Sequence, residues 1–372
     1  MARSTFFYTD SRVLGGAEGA MFMLLGALDR GRWEPTLLLD DSDAVAPLRE
    51  RAAALDVPVL PVEPLPLGLE GARRVPALAR TLRARRPAVF HAHMSSPLAA
   101  KWALSAAVAA RVPAILGTVQ VISDHPPGRA ALLQLRLLAR GVDRYLAVSR
   151  AIAAELAGAY RWPAAKIEVV HNAVELERFE GVDAGGLRAE LGAERRPLFL
   201  TAARLSDQKG HPTLLEAAAA VPDAVFALAG EGPEQAPLEA LAGRLGVAAR
   251  VRFLGRREDV PRLLAAADAF VLPSLYEGSS LAVLEAMAAR RAVVASAIPG
   301  TDELIEDGRS GLLVPPGDAG ALGAALQRLL GDPALRESLA AAARERVERD
   351  FSRETMARRV EAAYAGVLGD GA

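Results

Sequence analysis

The sequence predicts an α/β protein of two Rossmann-like domains with parallel sheets, and three observations predict it. Short apolar runs alternate with longer Ala/Leu-rich amphipathic segments, the pattern of βαβ units and parallel sheets. The 372 residues are too many for one ordinary core, and two domains are the expectation at that length. A polar, glycine-rich stretch at 180–186 (EGVDAGG) interrupts the alternation, and a second series of elements follows it. The join therefore falls near residue 183, giving domains over 1–183 and 184–352 and a terminal helix over 353–372.

In chain order, the strands expected in the first half are 5–9, 36–39, 57–62, 89–93, 114–119, 145–148 and 167–170. Each is a short run of Val, Ile, Leu, Phe or Ala bounded by polar residues, glycine or proline. The second series is 198–202, 225–229, 251–254, 269–273, 292–296 and 311–314. Helices at 212–220, 234–243 and 281–290 separate these strands, and helices at 319–330 and 334–349 follow the last one. The segment 61–70 (PVEPLPLGLE) is proline-rich and reads as an extended loop. Ligand is expected between the domains, outside the carboxyl ends of the strands.

Composition narrows the function. Half the residues are apolar, and 44 Lys plus Arg nearly balance 45 Asp plus Glu, so no basic field points to nucleic acid. The chain has no cysteine, which excludes disulfides and thiolate metal sites. The start, MARSTFFYTDSRVLGG, has no long apolar region and no small-residue cleavage site, so no signal peptide is expected. No run of eighteen apolar residues predicts a membrane span.

The segment 272–289, LPSLYEGSSLAVLEAMAA, carries the most chemistry. A short apolar run ends in a loop with Glu277 and Gly278. A helix of almost only Leu, Ala, Val and Met follows. A helix apolar all round is a buried one. Its single carboxylate, Glu285, is costly there unless something hydrogen-bonds it or pairs with it. The sequence supplies no fixed cation beside it, so Glu285 is expected to face a cleft and take a ligand's hydroxyl groups or charge. Ser279 or Ser280 is the expected N-cap, which makes the backbone N–H groups from Gly278 to Ala282 an anion site. A phosphate there would repel both carboxylates, leaving them for its neutral neighbours, sugar hydroxyls. A nucleotide-sugar has that composition of ribose, diphosphate and hexose.

A second cluster follows the strand at 198–202. In ARLSDQKGHP, Arg204 and Lys209 are two cations five apart on a strand-to-helix turn. That suits a diphosphate, since Arg offers a planar fork and Lys a mobile charge; the plain alternative is a solvated loop with surface cations. AGEGPE at 229–234 is not a dinucleotide fingerprint, because the third glycine position is Gln235 and two glutamates would repel phosphate. In the first half, Gly15 and Gly16 stand between a strand and a helix, where the choice is a plain turn or a backbone approached closely by ligand. In FHAHMS, His91 and His93 alternate with Ala92 and share one face at a strand's carboxyl end. Asp41-Ser42-Asp43 reads as a helix start with Asp43 as N-cap rather than as a metal site. The stretch 73–86 carries six arginines. Its plainest reading is a solvated helix face with the stems over apolar surface. The second is contact with an anionic membrane surface or an acidic acceptor.

ARLSDQKG, AGEGPE, VRFLGR, and above all PSLYEGSSLAVLEAMA followed by VVASAIPGTDELIEDGRSGLLVPPGD, resemble the retaining glycosyltransferases of family 4, which have the GT-B fold. Glu277 and Glu285, eight apart, match that family's E-x7-E signature. The resemblance covers nearly the whole chain and is most specific over 199–316. It implies two Rossmann-like domains facing across a cleft, the first binding acceptor and the second the nucleotide-sugar, with the terminal helix returning to the first. It implies that Arg204 and Lys209 hold the donor diphosphate and stabilise the leaving group. By the same resemblance, Glu285 takes the ribose hydroxyls and Glu277 the hydroxyls of the transferred sugar. The amides near Gly278, Ser279, Ser280 and Leu281 cap the distal phosphate. Glu231, Leu254 and Arg256 lie near the base and diphosphate, Gly15 and Gly16 lie beside phosphate and acceptor, and His93 lies beside the anomeric carbon. The chain departs from the family in reading Asn172-Ala173-Val174-Glu175 for N-G-V-D, in the Gly278-Ser279-Ser280 after Glu277, and in Gln120 where a histidine is common.

The expected activity is transfer of a hexosyl unit from a UDP- or GDP-sugar to an acceptor hydroxyl with retention, without metal or cofactor. The setting is the synthesis of a glycan, glycolipid, lipopolysaccharide or cell-envelope polysaccharide. The expected partners are the nucleotide-sugar and a glycan, lipid or small-molecule acceptor. The location is the cytoplasm, with peripheral contact at the membrane's inner face through the first domain as the second reading. Three alternatives stand beside it: a sugar-nucleotide epimerase of the same fold, a glycosidase using Glu277 and Glu285, and a non-catalytic nucleotide-sugar-binding subunit. The glycosidase fits poorly, since both carboxylates lie on one strand-loop-helix unit and an anion site has no use there.

Overall fold

The computed structural model describes residues 2–122 and 127–369. The chain forms two compact units, one of the residues up to Ala173 together with those from Arg353 onward, the other Val174–Ser352.

The first unit is built on β1 (Arg3–Tyr8), β2 (Trp33–Leu39), β3 (Val59–Pro61), β4 (Val89–Met94), β5 (Ala114–Val119), β6 (Arg144–Ala147) and β7 (Ile167–Val169). All pair in parallel, in the order β3-β2-β1-β4-β5-β6-β7. The connecting helices are α1 (Gly16–Ala27), α2 (Ala46–Ala53), α3 (Leu69–Arg85), α4 (Lys101–Ala110), α5 (Arg129–Gly141) and α6 (Arg150–Gly158). Every residue of β4 and β5 is buried. Helices cover both faces, which is why these strands read as continuous apolar runs rather than alternations. The period of two still sorts the faces. Phe6, Tyr8, Phe90 and Met94 pack with Leu78 and Leu82 of α3 and Leu104 of α4. Phe7, Leu37, Val89 and Leu116 pack on the other side with Met21 and Leu25 of α1.

The second unit holds α7 (Leu187–Glu190), β8 (Leu198–Ala202), α8 (His211–Ala219), β9 (Val225–Ala229), α9 (Gln235–Arg244), β10 (Val251–Phe253) and α10 (Val260–Ala266). It continues through β11 (Ala269–Leu272), α11 (Leu281–Ala288), β12 (Ala292–Ser296), β13 (Leu312–Val314), α12 (Ala319–Gly331) and α13 (Pro333–Asp350). Its parallel sheet runs β10-β9-β8-β11-β12-β13, so the strand order reverses between β8 and β11. In an open α/β sheet that reversal opens the crevice where ligands bind.

The last helix, α14 (Arg353–Leu368), packs in the first unit. Met356, Val360 and Tyr364 join the core beside α1, and Glu361 accepts the Asp29 N–H at 2.8 Å.

Two expectations need correction. The units divide at 173/174 rather than near 183. Val174 and Phe179 are buried with Leu187, Val347 and Phe351, so residues 174–183 belong to the second core although they precede the glycine-rich stretch. Asp43 is not a helix cap. It opens a 3-10 turn (Asp43–Val45), and the carboxylate that accepts the Ser42 N–H, at 2.9 Å, is that of Asp40. Among the described residues no helix is long and apolar enough to cross a membrane.

Candidate active site

The second unit's switch point gathers the residues the sequence singled out. The loop after β8 carries Arg204 and Lys209, and the loop after β11 carries Glu277. Lys209 Nζ donates to Glu277 Oε1 at 2.6 Å, and Ser274 Oγ donates to the same oxygen at 2.7 Å. The lysine and glutamate side chains are 18% and 7% exposed, so this is a largely buried ion pair rather than a surface one. Glu277 Oε2 makes no hydrogen bond among the described residues. An ammonium has three donors, so Lys209 keeps two more for a ligand.

Glycine brings the two loops together. Gly210 has φ +64°, and a Cβ there would stand 2.0 Å from the Pro273 carbonyl oxygen. Gly300, at φ +90°, makes room on the other side, where a Cβ would meet the Gly278 carbonyl at 2.4 Å. Neither place admits a side chain. The Leu275 N–H to Gln208 carbonyl bond (2.8 Å) and the Gln208 Nε2 to Tyr276 carbonyl bond (3.0 Å) knit the loops further. The buried His211 holds the Arg204 carbonyl through Nε2 at 3.0 Å, while the Arg204 guanidinium itself is exposed and has no partner among the described residues. Burial pushes the His211 imidazole below its ordinary pKa.

α11 begins as expected. Ser280 is its N-cap, its Oγ accepting the Val283 N–H at 3.4 Å, and the backbone from Gly278 to Ser280 is buried at the helix mouth. Glu285 lies within it, one side-chain quarter exposed (25%). Here the structure corrects the sequence reading, because Glu285 has a cation beside it. Arg178 Nη1 lies 3.8 Å from Glu285 Oε1, and its Nε is 4.0 Å from Glu175. Arg178 comes from the 3-10 turn Leu176–Phe179, more than a hundred residues before the helix it faces. Burial raises the Glu285 carboxyl above its ordinary range, and Arg178 opposes that rise.

The other second-unit residues lie in the neighbouring loops. Leu254 N–H bonds to Leu228 O (2.9 Å), and Gly230 N–H to Gly255 O (2.7 Å), tying the loops after β9 and β10. The Glu231 carbonyl accepts the Leu205 N–H at 3.0 Å, which ties the β9 loop to that of Arg204. The side chains of Glu231 and Arg256 are exposed.

In the first unit the two histidines of β4 part company. Their rings lie 4.6 Å apart, both buried. His91 is satisfied on both sides, by the Tyr364 hydroxyl at 2.6 Å and the Thr118 hydroxyl at 2.7 Å. Neither ring nitrogen of His93 has a partner, although the residue is only 4% exposed. Burial pushes His93 down to about 3, so its imidazole is neutral at physiological pH. An unpaired buried polar group costs about 1–3 kcal/mol, so His93, unlike His91, contributes no ring hydrogen bond to the fold.

Gly15 and Gly16 are exposed, at the start of α1. Their loop is fastened by a residue the sequence reading passed over: Glu18 is buried and accepts the Gly15 N–H at 3.1 Å. A Glu three residues after a helix start is the signal that could have found it. Two of the departures from the family pattern meet in space. The buried amides of Gln120 and Asn172 exchange hydrogen bonds of 3.2 and 2.8 Å. Of the six arginines in 73–86, Arg74 is engaged with Glu63 and Glu70 and the other five are exposed, as a solvated face requires. Among the described residues no group of three or more His, Asp or Glu side chains converges as metal ligands.

Two parallel Rossmann-like sheets, each with its ligand-binding end built from loops, define the class: the GT-B fold of glycosyltransferases. The structure aligns with that of HepE (Alr3699) of Anabaena, solved in complex with UDP, at a TM-score of 0.86 and 24% identity over 98% of this chain and 100% of that one; the likeness is one of fold. Residues 14–178 match the family described as Glycosyltransferase Family 4, and residues 187–346 match Glycosyl transferases group 1. The chain belongs to this family. It is 38% identical over 185 residues to an alpha-D-kanosaminyltransferase of Streptomyces kanamyceticus, covering 46% of this chain and 48% of that protein. It is 35% identical over 191 residues to the lipopolysaccharide core biosynthesis glycosyltransferase LpsE of Rhizobium meliloti, covering 51% and 55%. The chain thus spans about half the length of the curated relatives it matches.

Proposed function

We propose that the chain transfers a hexosyl unit from a nucleotide diphosphate sugar, UDP- or GDP-linked, to an acceptor hydroxyl with retained anomeric configuration. The setting is glycan, glycolipid or cell-envelope polysaccharide synthesis. The observation that carries this reading is the Lys209–Glu277–Ser274 cluster across the β8/β11 switch point, beside the α11 mouth and an unpaired Arg204. Each charge on this surface has a place on one ligand. Arg204 and the two spare donors of Lys209 take the diphosphate, with the amides from Gly278 to Leu281 on its distal phosphate. Glu285 takes the ribose hydroxyls, its own charge moderated by Arg178. Glu277 offers Oε2 to a hydroxyl of the transferred sugar while Lys209 offsets its charge, which removes the repulsion a bare carboxylate would exert on the phosphate. Within the first unit, the candidate for a substrate contact is His93, a neutral imidazole whose ring nitrogens have no partner among the described residues.

In the step itself the bond from the anomeric carbon to the diphosphate oxygen breaks, and the acceptor oxygen bonds on the same face. The acceptor's proton passes to the departing phosphate. Negative charge grows on the diphosphate, and the Arg204 guanidinium, the Lys209 ammonium and the helix amides are the groups that would stabilise it there without a metal. A thermal-shift panel of UDP, GDP and ADP sugars, each with and without EDTA, tests the reading. A donor at a hundred times its Kd stabilises by about 2.7 kcal/mol, and the reading expects that shift for at least one donor in EDTA. A flat response to every donor contradicts it.

A further inference from the structure

A cavity of about 620 Å3 lies wholly within the first unit, at the carboxyl ends of β1, β2 and β3. That is the ligand-binding end of a parallel sheet, and the volume is that of a small-molecule site. The proline-rich loop read at 61–70 forms one wall, and the Arg74 guanidinium fastens it by donating to the Pro64 carbonyl at 2.7 Å. The lining is acidic: Asp10, Asp40, Glu63 and Glu70 against Arg12 and Arg74, with no lysine or histidine.

Three of those carboxylates already have cations. Arg12 lies 3.4 Å from Asp40, Arg49 adds its charge nearby, and Arg74 bridges Glu63 and Glu70. Asp10 has none among the described residues. Its Oδ2 accepts the Ala100 N–H at 2.9 Å, which holds the turn before α4 but leaves the charge unpaired. Beside it stands Tyr8, which lines the same cavity and is only 3% exposed, and whose hydroxyl has no hydrogen-bond partner among the described residues. Burial and the charges of Asp10 and Asp40 hold that phenol well above its usual range, so it remains a donor, and the same field raises the cost of any further anion. Turn-holding accounts for one oxygen of Asp10. It does not account for a tyrosine that is only 3% exposed, lines the cavity and has no protein partner for its hydroxyl among the described residues, near a carboxylate with no cation.

We propose that this cavity binds an acceptor carrying an ammonium group next to hydroxyls, an amino sugar or aminocyclitol, with the ammonium on Asp10 and a ligand oxygen on Tyr8. Calling the ligand an acceptor depends on the transferase reading; the preference for a cation does not. A half-buried carboxylate such as Asp10 and an ammonium form a charge-assisted hydrogen bond, the stronger kind. A phosphorylated or carboxylated acceptor would meet net negative charge.

The test is calorimetric titration of the full chain, in the presence and absence of UDP and GDP, with three probes: methyl α-glucosaminide, its N-acetyl derivative and methyl α-glucoside. The amine should bind at least tenfold more tightly than either neutral sugar. Asp10→Asn keeps an acceptor for the Ala100 N–H and removes the charge; it should bring the ratio to about one while nucleotide affinity stays as in the wild type. Tyr8→Phe forfeits no existing hydrogen bond, so it serves if Asp10→Asn does not fold, and it should weaken the amine several-fold. Equal binding of amine and neutral sugars, absence of amine binding, or an amine preference that survives Asp10→Asn each overturns the proposal. The nucleotide arm reports separately on the transferase reading. Nucleotide bound without amine preference overturns the cavity proposal alone, and amine preference without nucleotide binding upholds it while the transferase reading fails.

Discussion

At the scale of single residues, the site distinguishes groups that hold the fold from groups held in reserve. His91 and His93 are neighbours of one type on one strand, yet only His93 is unsatisfied. Replacing His93 with Leu removes two unpaired buried nitrogens, so thermal melting should show unchanged or raised stability at pH 7 while turnover falls; a variant with wild-type turnover would remove His93 from the mechanism. The same residue should leave a mark in acid. Its pKa is near 3 in the fold and 6.5 as the ordinary value, so between these limits the unfolded chain binds the extra proton. Its contribution to stability is complete above about pH 6.5 and is lost as pH falls towards 3, at up to about 1.4 kcal/mol per pH unit. Stability of His93→Leu should fall less steeply than the wild type over that window. The two donor-site cations should also differ. Lys209→Met strands the buried Glu277 and should cost about 3 kcal/mol of stability, whereas Arg204→Met, exposed and unpaired, should stay within about 0.5 kcal/mol although both weaken nucleotide binding; equal melting temperatures would contradict the buried pair. Glu277 and Glu285 were legible because their chemistry stands out within one short apolar segment. Arg178 was not, because nothing local ties a 3-10 turn to a helix a hundred residues on. The Lys209–Glu277 pair was hidden likewise: the sequence places both near a phosphate but does not say that they meet.

At the scale of elements, the strands were the most legible part. β5, β8, β9 and β12 begin and end at the expected residues, since a strand covered on both faces has no polar position to blur its limits. The loops were not legible, because their form depends on contacts across the switch point. Gly210 shows the dependence. Its φ of +64° and the Pro273 carbonyl 2.0 Å from any Cβ mean that Gly210→Ala must push the β8 loop away from the β11 loop. The variant should melt lower and lose turnover through the Lys209–Glu277 contact, and wild-type turnover would show that the contact is not needed. α14 is tied by a different device. Tyr364→Phe leaves the buried Nδ1 of His91 unpaired, which should cost about 1–3 kcal/mol in denaturant unfolding; no change in midpoint would mean that the hydroxyl contributes nothing to docking.

At the scale of the whole molecule, two parallel sheets with the same inner strand order each present a carboxyl end, but the two ends carry different chemistry. The second unit's loops offer cations and helix amides beside tempered carboxylates. The first unit's cavity is acidic and its histidine neutral. Length, alternation and the glycine-rich break were enough to show two units. They misplaced the join by ten residues, since what assigns 174–183 is burial of Val174 and Phe179 with Phe351, a contact between distant parts of the chain. The central claim is that Arg204 and Glu285 grip the diphosphate and ribose of one nucleotide-sugar. Calorimetric titration of the wild type, Arg204→Ala and Glu285→Ala with the nucleoside diphosphate of the donor sugar that gives the largest thermal shift tests it most directly. The account predicts that each variant folds as the wild type does and binds at least tenfold more weakly, about 1.4 kcal/mol. Wild-type Kd values in both variants would contradict it.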